Sequence, residues 1–290
     1  MNLPPRLTVG VVGTGRVGAV LGAALARAGH VVTAASAVSD ASRARAEQLL
    51  PGVPLVAADE VPRGAALVLL TVPDDALADL VAGLAETGAL TPGQMVVHTS
   101  GRHGLAVLEP AVRRGCAALA LHPVLPFTGT PVDLARLTGA SFGVTSSEQL
   151  RPAAEALVIE MGGEPVWVDD ALRPLWHAAL AHGANHLVTL VASAADLLRS
   201  AGVEQPGAVL APLLGAALDG ALRSGDAALT GPVARGDAGT VQAHLDVLPA
   251  DVRPAYLALA RLTADRALAS GRLSADAAGS LLSVLGTVPR

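Results

Sequence analysis

Apolar residues follow two different patterns along the chain, and the change comes near residue 170. Before it, short β-type apolar runs alternate with stretches in which apolar residues recur every three or four positions. This alternation is typical of a parallel sheet with helices on both faces, so we predict an α/β fold with a doubly wound, Rossmann-type sheet. The predicted strands cover residues 7–12, 31–35, 55–57, 65–72, 95–99, 116–121, 141–145 and 165–168. The predicted helices between them cover residues 17–28, 41–50, 75–87, 105–114 and 148–161.

Beyond residue 170 no convincing β run follows, and the apolar spacing is helical. The pattern predicts an all-α C-terminal domain, with boundaries at 1–168 for the first domain and 169–290 for the second. The alanine-rich apolar surface of these helices favours association, so a homodimer is expected. The predicted helices cover residues 172–200, 207–223, 238–247, 252–270 and 275–285.

Composition narrows the function classes. With 51% hydrophobic and 16% charged residues, the chain builds a large aliphatic core, which excludes an intrinsically disordered protein. The net charge is -5, and the sequence has no run of basic residues. We therefore expect a small-molecule substrate, and neither a nucleic acid nor an anionic membrane surface, as the partner. A single cysteine, Cys116, excludes an intrachain disulfide. No secretory signal and no membrane span is recognised, which predicts a cytoplasmic protein.

All 20 basic residues are arginines, because the sequence contains no lysine. Arginine stays protonated and makes forked hydrogen bonds, whereas lysine can lose its proton and form Schiff bases. Lysine general acids and lysine Schiff bases are therefore excluded as catalytic devices in this chain.

A glycine-rich turn follows the first predicted strand and opens the first predicted helix. Gly13 would allow a tight turn, Gly15 a close backbone approach to a pyrophosphate, and Gly18 close packing of helix on strand. The N-terminus of the helix offers free N–H groups and the positive end of its dipole to phosphates. The segment predicts a dinucleotide site. Its expected cofactor contacts are Gly13, Thr14, Gly15, Arg16, Val17 and Gly18.

The end of the second strand decides between the two nicotinamide dinucleotides. An acidic side chain there would bind the ribose 2′-hydroxyl of NAD, but the chain has Ser36 and no carboxylate at this place. Asp40 comes later and is interpreted as a helix N-cap. Ser36 and Arg43 are therefore predicted to bind a 2′-phosphate, with Ser39 and Arg45 as further candidates, and NADP is favoured over NAD.

Polar side chains stand where predicted strands end, which is the edge at which such sheets bind ligands. Val72 and Pro73 follow the fourth strand and should lie along the adenosine side of the cofactor. Ser100 and His122 follow the next two strands and should flank the nicotinamide. His122 is interpreted as a proton donor or substrate ligand, with a structural histidine bonded to backbone as the alternative.

The first helix of the second domain carries a polar stripe. At about 100° per residue, His182 and Asn185 fall on one face together with Thr189 and His186. Polar groups on a buried helix need hydrogen-bond partners. One interpretation is that the stripe faces a substrate. The alternative is that it bonds to other helices, to water or across a dimer interface. His182 and His186 also have the spacing of two helical metal ligands, but no third ligand is evident and no metal is predicted.

Several segments together resemble a bacterial family of Rossmann-like proteins that end in a helical domain of unknown function. They are the glycine-rich turn, residues 98–101, residues 121–123 with Phe127, and residues 229–232 leading to 235–237. The resemblance implies an NADP-dependent oxidoreductase, and more distantly the 6-phosphogluconate dehydrogenase superfamily with its helical C-terminal domain. In those dehydrogenases a lysine four residues before an asparagine relays the proton. Asn185 resembles that asparagine, but Ala181 stands at the lysine position.

We predict NADPH-dependent reduction of a small oxo acid or imine, with ketopantoate reduction as one candidate. The expected catalytic residues are Ser100, His122, His182 and Asn185, while the hydride chemistry belongs to the cofactor. The alternative is a noncatalytic NADP-binding sensor or scaffold. The segment 230–237 is interpreted as a loop in which Asp237 caps the following helix and Arg235 binds a substrate carboxylate or a neighbouring subunit.

Overall fold

The computed structural model describes residues 6–286, which divide into two compact units. The first ends at Ala184 and the second begins at Asn185. The first unit contains a seven-stranded sheet. Its strands are β1 (Thr8–Val12), β2 (Val31–Ser36), β3 (Leu67–Leu70), β4 (Met95–His98), β5 (Ala117–Pro123), β6 (Ser141–Ser146) and β7 (Glu164–Trp167).

Helices connect most of these strands. They are α1 (Arg16–Arg27), α2 (Asp40–Leu49), α3 (Asp74–Glu86), α4 (Glu109–Arg113), α5 (Val132–Arg136) and α6 (Arg151–Glu160). Short 3₁₀ turns precede α4 and α6 and also lead into α7 (Arg173–Ser200). The long helix α7 begins in the first unit and ends in the second.

The strand order is β2-β1-β3-β4-β5-β6-β7, and every neighbouring pair is parallel except β5 with β6. The chain leaves β1 toward β2 on one side and returns to β3 on the other side. This reversal creates a crevice beyond the carboxyl end of β1, where open α/β sheets bind their ligands. The fold therefore places the glycine-rich turn at the switch point.

Alternating side chains of the strands supply two cores, one on each face of the sheet. In β3, Leu67 and Leu69 pack into one core with α1 and α6, while Val68 and Leu70 pack into the other with α3. Successive strand residues point to opposite faces, and both faces are covered, which explains the unbroken apolar run in β3. The α/β, doubly wound prediction is confirmed.

The second unit is helical. It contains the end of α7 and then α8 (Pro206–Ser224), α9 (Pro232–Arg235), α10 (Ala238–Val247), α11 (Arg253–Ala269) and α12 (Ala275–Gly286). Its core comes from α9 to α12 and includes Val241, Leu257 and Leu281. No helix among residues 6–286 combines the length and apolar character that crossing a membrane requires.

Three local predictions need correction. Residues 55–57 form no strand, and only an isolated bridge joins Leu55 to Ala35. Helix α5 was not predicted, because five residues show too little periodicity to reveal a helix. The segment 230–237 is not wholly a loop, since Pro232 opens the one-turn helix α9. The predicted domain boundary after residue 168 remains a prediction.

Candidate functional site

The glycine-rich turn has the tight backbone that its sequence predicts. Gly13 has φ +93°, a conformation that residues with a Cβ rarely adopt. A Cβ at Gly18 would lie 2.1 Å from both the Gly13 carbonyl oxygen and the Thr71 hydroxyl. Thr71 donates a hydrogen bond to that same carbonyl. The third glycine thus allows the start of α1 to pack directly on the end of β3.

The open side of this turn is the N-terminus of α1. Gly15 is the N-cap residue and provides no side-chain cap. A Cβ at Gly15 would meet nothing within 4 Å, so the space beside it is empty. Within residues 6–286, the backbone N–H groups of Gly15, Arg16, Val17 and Gly18 have no hydrogen-bond acceptor. Unpaired N–H groups at the positive end of a helix form an anion site.

Two polar side chains behind the turn hold it in place. The buried Thr14 hydroxyl donates to the carbonyls of Ser36 (3.2 Å) and Ser42 (3.0 Å). The Ser36 hydroxyl accepts the N–H of Gly13 at 3.1 Å. Both residues were predicted to contact the cofactor, and the structure gives both a role in supporting the loop.

The N-terminus of α2 lies next to this support. Its N-cap is Ser39, whose hydroxyl accepts the Ser42 N–H while the Ser42 hydroxyl accepts the Ser39 N–H. The interpretation of Asp40 as the N-cap is wrong, because this reciprocal capping box already satisfies the helix end. Arg43 is exposed, donates to the Val38 carbonyl at 3.3 Å, and lies 3.9 Å from Asp40. Its guanidinium is held near the end of β2 only by weak surface contacts.

A loop that the sequence reading missed packs against the turn. A Cβ at Gly129 would lie 2.8 Å from Nε of Arg45 and 3.1 Å from Cα of Arg16. The buried Asp133 carboxylate accepts the N–H groups of Thr128 and Gly129, each at 2.7 Å, and holds the loop in place. Burial acts to raise the pKa of Asp133, but these hydrogen bonds outweigh it and lower the pKa. The signal was the run Thr128-Gly129-Thr130 before an aspartate.

The turn after β3 reaches the glycine-rich turn from the other side. The Val72 side chain lies beside Gly13, and a Cβ at Gly13 would be 3.3 Å from its Cγ1. Pro73 is exposed and is the N-cap residue of α3. Asp74 and Asp75 follow in the first helical turn, and both pair with Arg102, at 3.2 Å and 2.8 Å.

The ends of β4 and β5 carry a second polar group of residues, roughly 10 Å and roughly 14 Å from β1 at the usual strand spacing. His98 is fully buried, its Nδ1 accepts the Ser100 N–H at 3.2 Å, and its Nε2 lies 3.1 Å from the Gly104 carbonyl. Burial, followed by the charge of Arg173, lowers the pKa of His98 to about 4. The Ser100 hydroxyl accepts the N–H of His103 at 3.1 Å.

Arg173 is the largest fully buried side chain of the described residues. Its guanidinium donates to the Ser100 carbonyl (2.6 Å), the Thr145 hydroxyl (3.0 Å) and the Gly143 carbonyl (3.4 Å). No carboxylate within residues 6–286 lies within salt-bridge distance of it, and its Nε has no partner there. Burial lowers the pKa of Arg173 to about 10, so it stays charged.

Arg173 is the main residue that the sequence reading missed. It stands directly before Pro174 in the first turn of α7. A cation at a helix N-terminus opposes the helix dipole, which is the signal that this arginine serves another contact.

His122 meets the start of α7 at the end of β5. The Trp176 indole Nε1 donates to His122 Nδ1 at 3.1 Å, and the His177 ring packs edge-on with its centroid 5.8 Å away. A Cβ at Gly101 would lie 2.6 Å from His177 Cδ2 and 2.9 Å from His122 Nε2. Burial, then the charges of Arg173 and His177, lower the pKa of His122 to about 4.

The other two predicted catalytic residues lie further along α7. His182 belongs to the first unit and Asn185 begins the second, and both are exposed. The structure thus brings Ser100 and His122 together, and the catalytic roles of all four residues stay predictions. No cluster of three or more His, Cys, Asp or Glu side chains suited to a metal ion occurs within residues 6–286.

In the second unit, the predicted cap at Asp237 is confirmed. Its carboxylate accepts the Thr240 N–H at 3.0 Å and the Thr240 hydroxyl at 2.7 Å. The hydrogen bonds from the hydroxyl and from the backbone N–H of Thr240 lower the pKa of Asp237. Arg235 ends helix α9, and its predicted role in binding a carboxylate or a subunit stays a prediction.

Comparison with known proteins identifies two domains. A Rossmann-like domain matches residues 2–123, and a domain of unknown function, DUF2520, matches residues 140–263. No curated protein matches the chain.

Several solved structures share this fold. A protein from Bacteroides fragilis, provisionally named an NADP oxidoreductase, has TM-score 0.75 and 22% identity over 90% of this chain and 98% of its own. An imine reductase from Pseudomonas sp. has TM-score 0.65 and 21% identity over 97% and 100%. A reductive aminase from Aspergillus terreus, solved with NADPH and ethyl levulinate, has TM-score 0.62 and 20% identity over 96% and 99%. At these identities the likeness shows the fold.

Proposed function

The chain contains a Rossmann-like domain and a DUF2520 domain, and from this premise we propose that it is an NADP(H)-dependent oxidoreductase. The observation that carries the proposal is the open N-terminus of α1. Gly15 has empty space beside it, and four consecutive N–H groups lack an acceptor in the described part of the chain. This cradle fits a pyrophosphate, because a phosphate oxygen can accept these N–H groups at the positive helix end.

In the proposed complex, Gly15, Arg16, Val17 and Gly18 bind the pyrophosphate through their N–H groups. Thr14 and Ser36 keep the turn rigid behind them. Val72 and Pro73 lie along the adenosine side of the cofactor. A rigid cradle loses little conformational entropy when the cofactor binds, which favours affinity.

The preference for NADP over NAD rests on charge at the end of β2. No carboxylate stands there to bind a ribose 2′-hydroxyl, and Arg43 lies beside Asp40 with its guanidinium exposed. A 2′-phosphate would compete successfully for Arg43, because the Asp40 contact is long and solvated. Several structures with the same fold contain NADPH or NADP.

The proposed reaction is the reduction of a small oxo acid or imine, with ketopantoate-like chemistry as one form. NADPH supplies the hydride when bound. Ser100 and His122 would contact the substrate at the ends of β4 and β5, and His182, which belongs to the same unit, would orient it from α7. Imine reduction gains support from the shared fold with an imine reductase and reductive aminases.

The test is NADPH consumption by the purified chain across a panel of 2-oxo acids and cyclic imines. The proposal expects at least one substrate to be reduced, and expects His182→Ala to lower kcat while the affinity for NADPH is unchanged. Leu187→Ala, also exposed on α7, serves as the matched control. Failure of every substrate, with NADPH binding intact, would contradict the enzyme and favour the second candidate.

That second candidate is a noncatalytic NADP-binding sensor or scaffold. It is favoured by the absence of lysine and by the lowered pKa of His122, which remove two ordinary proton donors. A sensor would bind NADPH and oxidised NADP with different affinities and turn over neither. Calorimetry with both forms, run beside the substrate panel, separates the two candidates.

The homodimer is also a proposal, and its support lies in the second unit. Several apolar side chains of α7 and α8 are exposed in the single chain, among them Val188, Leu213 and Leu222. Apolar surface of this kind is typical of an interface between subunits. Sedimentation of the chain should give twice 28.9 kDa, and the double variant Leu213→Glu, Leu222→Glu should give the monomer. The equally exposed Val247→Glu on α10 is the control.

A further inference from the structure

The hydrogen bond between Trp176 and His122 fixes where the imidazole proton lies. An indole N–H can only donate, so His122 Nδ1 must accept and carries no proton. A neutral imidazole then has its single proton on Nε2. That nitrogen lies beside Gly101, the residue that follows Ser100 at the end of β4.

The charges around His122 oppose a second proton. Helix α7 contributes Arg173 and His177, and the start of α3 contributes Asp74 as the opposing carboxylate. Arg173 is bound by carbonyls and a hydroxyl, so no carboxylate cancels its charge at close range. Burial acts in the same direction as Arg173, and together they outweigh Asp74.

We propose that Trp176 and Arg173 are positioning residues that hold His122 as a neutral imidazole with its proton on Nε2. His122 then acts as a hydrogen-bond donor to a neutral acceptor atom, a carbonyl oxygen or an imine nitrogen. The identity of this acceptor rests on the proposed function, whereas the tautomer does not.

With this tautomer, His122 is not the source of the proton that the reduction consumes. A bound NADPH would supply the hydride for the new C–H bond, and the π electrons of the C=O or C=N bond would then move onto oxygen or nitrogen. The His122 Nε2–H stabilises that developing charge and keeps its proton, as a preorganised donor does. The proton that completes the alcohol or amine comes from water.

The direct test is ¹⁵N NMR of the uniformly labelled full chain without cofactor. The eight histidines are resolved by their ring correlations, and His122 is assigned by its loss in His122→Asn. We expect an unprotonated Nδ1 and a protonated Nε2 from about pH 5 to pH 8. A doubly protonated ring at about pH 6, or a proton on Nδ1, would overturn the proposal.

Trp176→Phe removes the indole donor and keeps an aromatic ring. We expect both tautomers of His122 to be populated, and its pKa to rise by about one unit, the value of a typical hydrogen bond. The matched control is Trp167→Phe, which changes the chain's other tryptophan on β7. Unchanged His122 resonances in Trp176→Phe would show that Trp176 does not set the tautomer. Should this variant not fold, the wild-type spectrum alone decides.

Kinetics separate this proposal from the proposed function. With a substrate found, kcat/KM should show no His122 titration between about pH 5 and pH 8, and Trp176→Phe should bring the upper part of that titration into the acid end of this range. The expected tautomer without any turnover would contradict the enzyme alone. Turnover that depends on a protonated His122 would contradict this inference alone.

Discussion

The glycine-rich turn and the His122 cluster are both built at the carboxyl edge of the sheet, but by different means. The turn uses backbone N–H groups from one short segment, Gly13 to Gly18. The cluster uses the side chains of His98, His122, Arg173 and Trp176, which come from two strands and a helix. The turn needs only its own strand, glycines and helix start, whereas the cluster exists only when three distant segments are folded together.

The difference also concerns charge. At the turn, Arg16 is exposed and the positive potential comes from an open helix end. In the cluster, burial and then a guanidinium without a close carboxylate lower the pKa of two histidines. In the proposed complex, one region therefore attracts a charged ligand, and the other supplies an uncharged hydrogen-bond donor, His122. We expect substitutions to separate these two properties.

The largest effect is expected at Gly18. Gly18→Ala places a Cβ against the Gly13 carbonyl at 2.1 Å, so the turn must move, at a cost of about 3 kcal/mol or more in unfolding free energy. Gly15→Ala is the matched control, because its Cβ meets nothing within 4 Å. Urea unfolding of both variants checks this expectation, and equal stabilities would contradict it.

The next effect is the pH dependence of stability. The pKa of His122 is about 4 in the folded chain and about 6.5 when unfolded, so protonation favours unfolding. The stabilisation by neutral His122 is therefore fully present above pH 6.5. As the pH falls toward 4, the free energy of unfolding drops by at most roughly 3 kcal/mol. The slope of unfolding free energy against pH measures the protons taken up on unfolding. The variant His122→Asn, which keeps an acceptor for Trp176, should take up as much as one proton fewer in this range. An unchanged slope would refute the neutral histidine.

The third largest effect is expected for Arg173→Met. It removes a buried charge but leaves the Ser100 carbonyl and Thr145 hydroxyl without their donor, so we expect a loss of about 2 kcal/mol. It should also raise the pKa of His122, because a repelling charge is gone. Arg199→Met, on the exposed end of the same helix, should change stability by less than about 0.5 kcal/mol. Chemical denaturation and the His122 NMR titration measure both effects.

The smallest effect is expected at Arg43. Arg43→Ala should weaken NADPH binding about five-fold and leave NADH binding unchanged, since only NADPH carries the 2′-phosphate. Arg113→Ala, another exposed arginine in a surface ion pair, is the control. If Arg43→Ala weakens the binding of NADPH and NADH by the same factor, the 2′-phosphate is bound elsewhere.

The sequence predicts the turn well and the cluster poorly, for a physical reason. A glycine requirement is local: Gly13 needs its φ and Gly18 its lack of Cβ because of neighbours that the strand-turn-helix pattern already implies. Short apolar runs likewise predict β3 and β4, which are buried on both faces of the sheet. Arg173 gives no such signal, because its partners Ser100, Gly143 and Thr145 lie 28 to 73 residues away.

The cluster also shows why candidate roles are harder to predict than candidate positions. His122 stands at the strand end where it was expected, but its pKa depends on burial and on Arg173. Asp40 was interpreted as a cap from its residue type, and the competing pair Ser39 and Ser42 occupies the helix end. Local residue preferences cannot rank such competitors, because the choice depends on contacts that form only in the folded chain.

Titration calorimetry decides whether the open end of α1 binds NADP(H). The wild type and Gly83→Asp, a glycine of α3 whose Cβ also meets nothing within 4 Å, should bind NADPH with the same affinity. Gly15→Asp should stay folded and lose binding, because its carboxylate would lie where the pyrophosphate is bound. Absence of NADPH binding to the wild type, or equal binding by Gly15→Asp, would contradict the account.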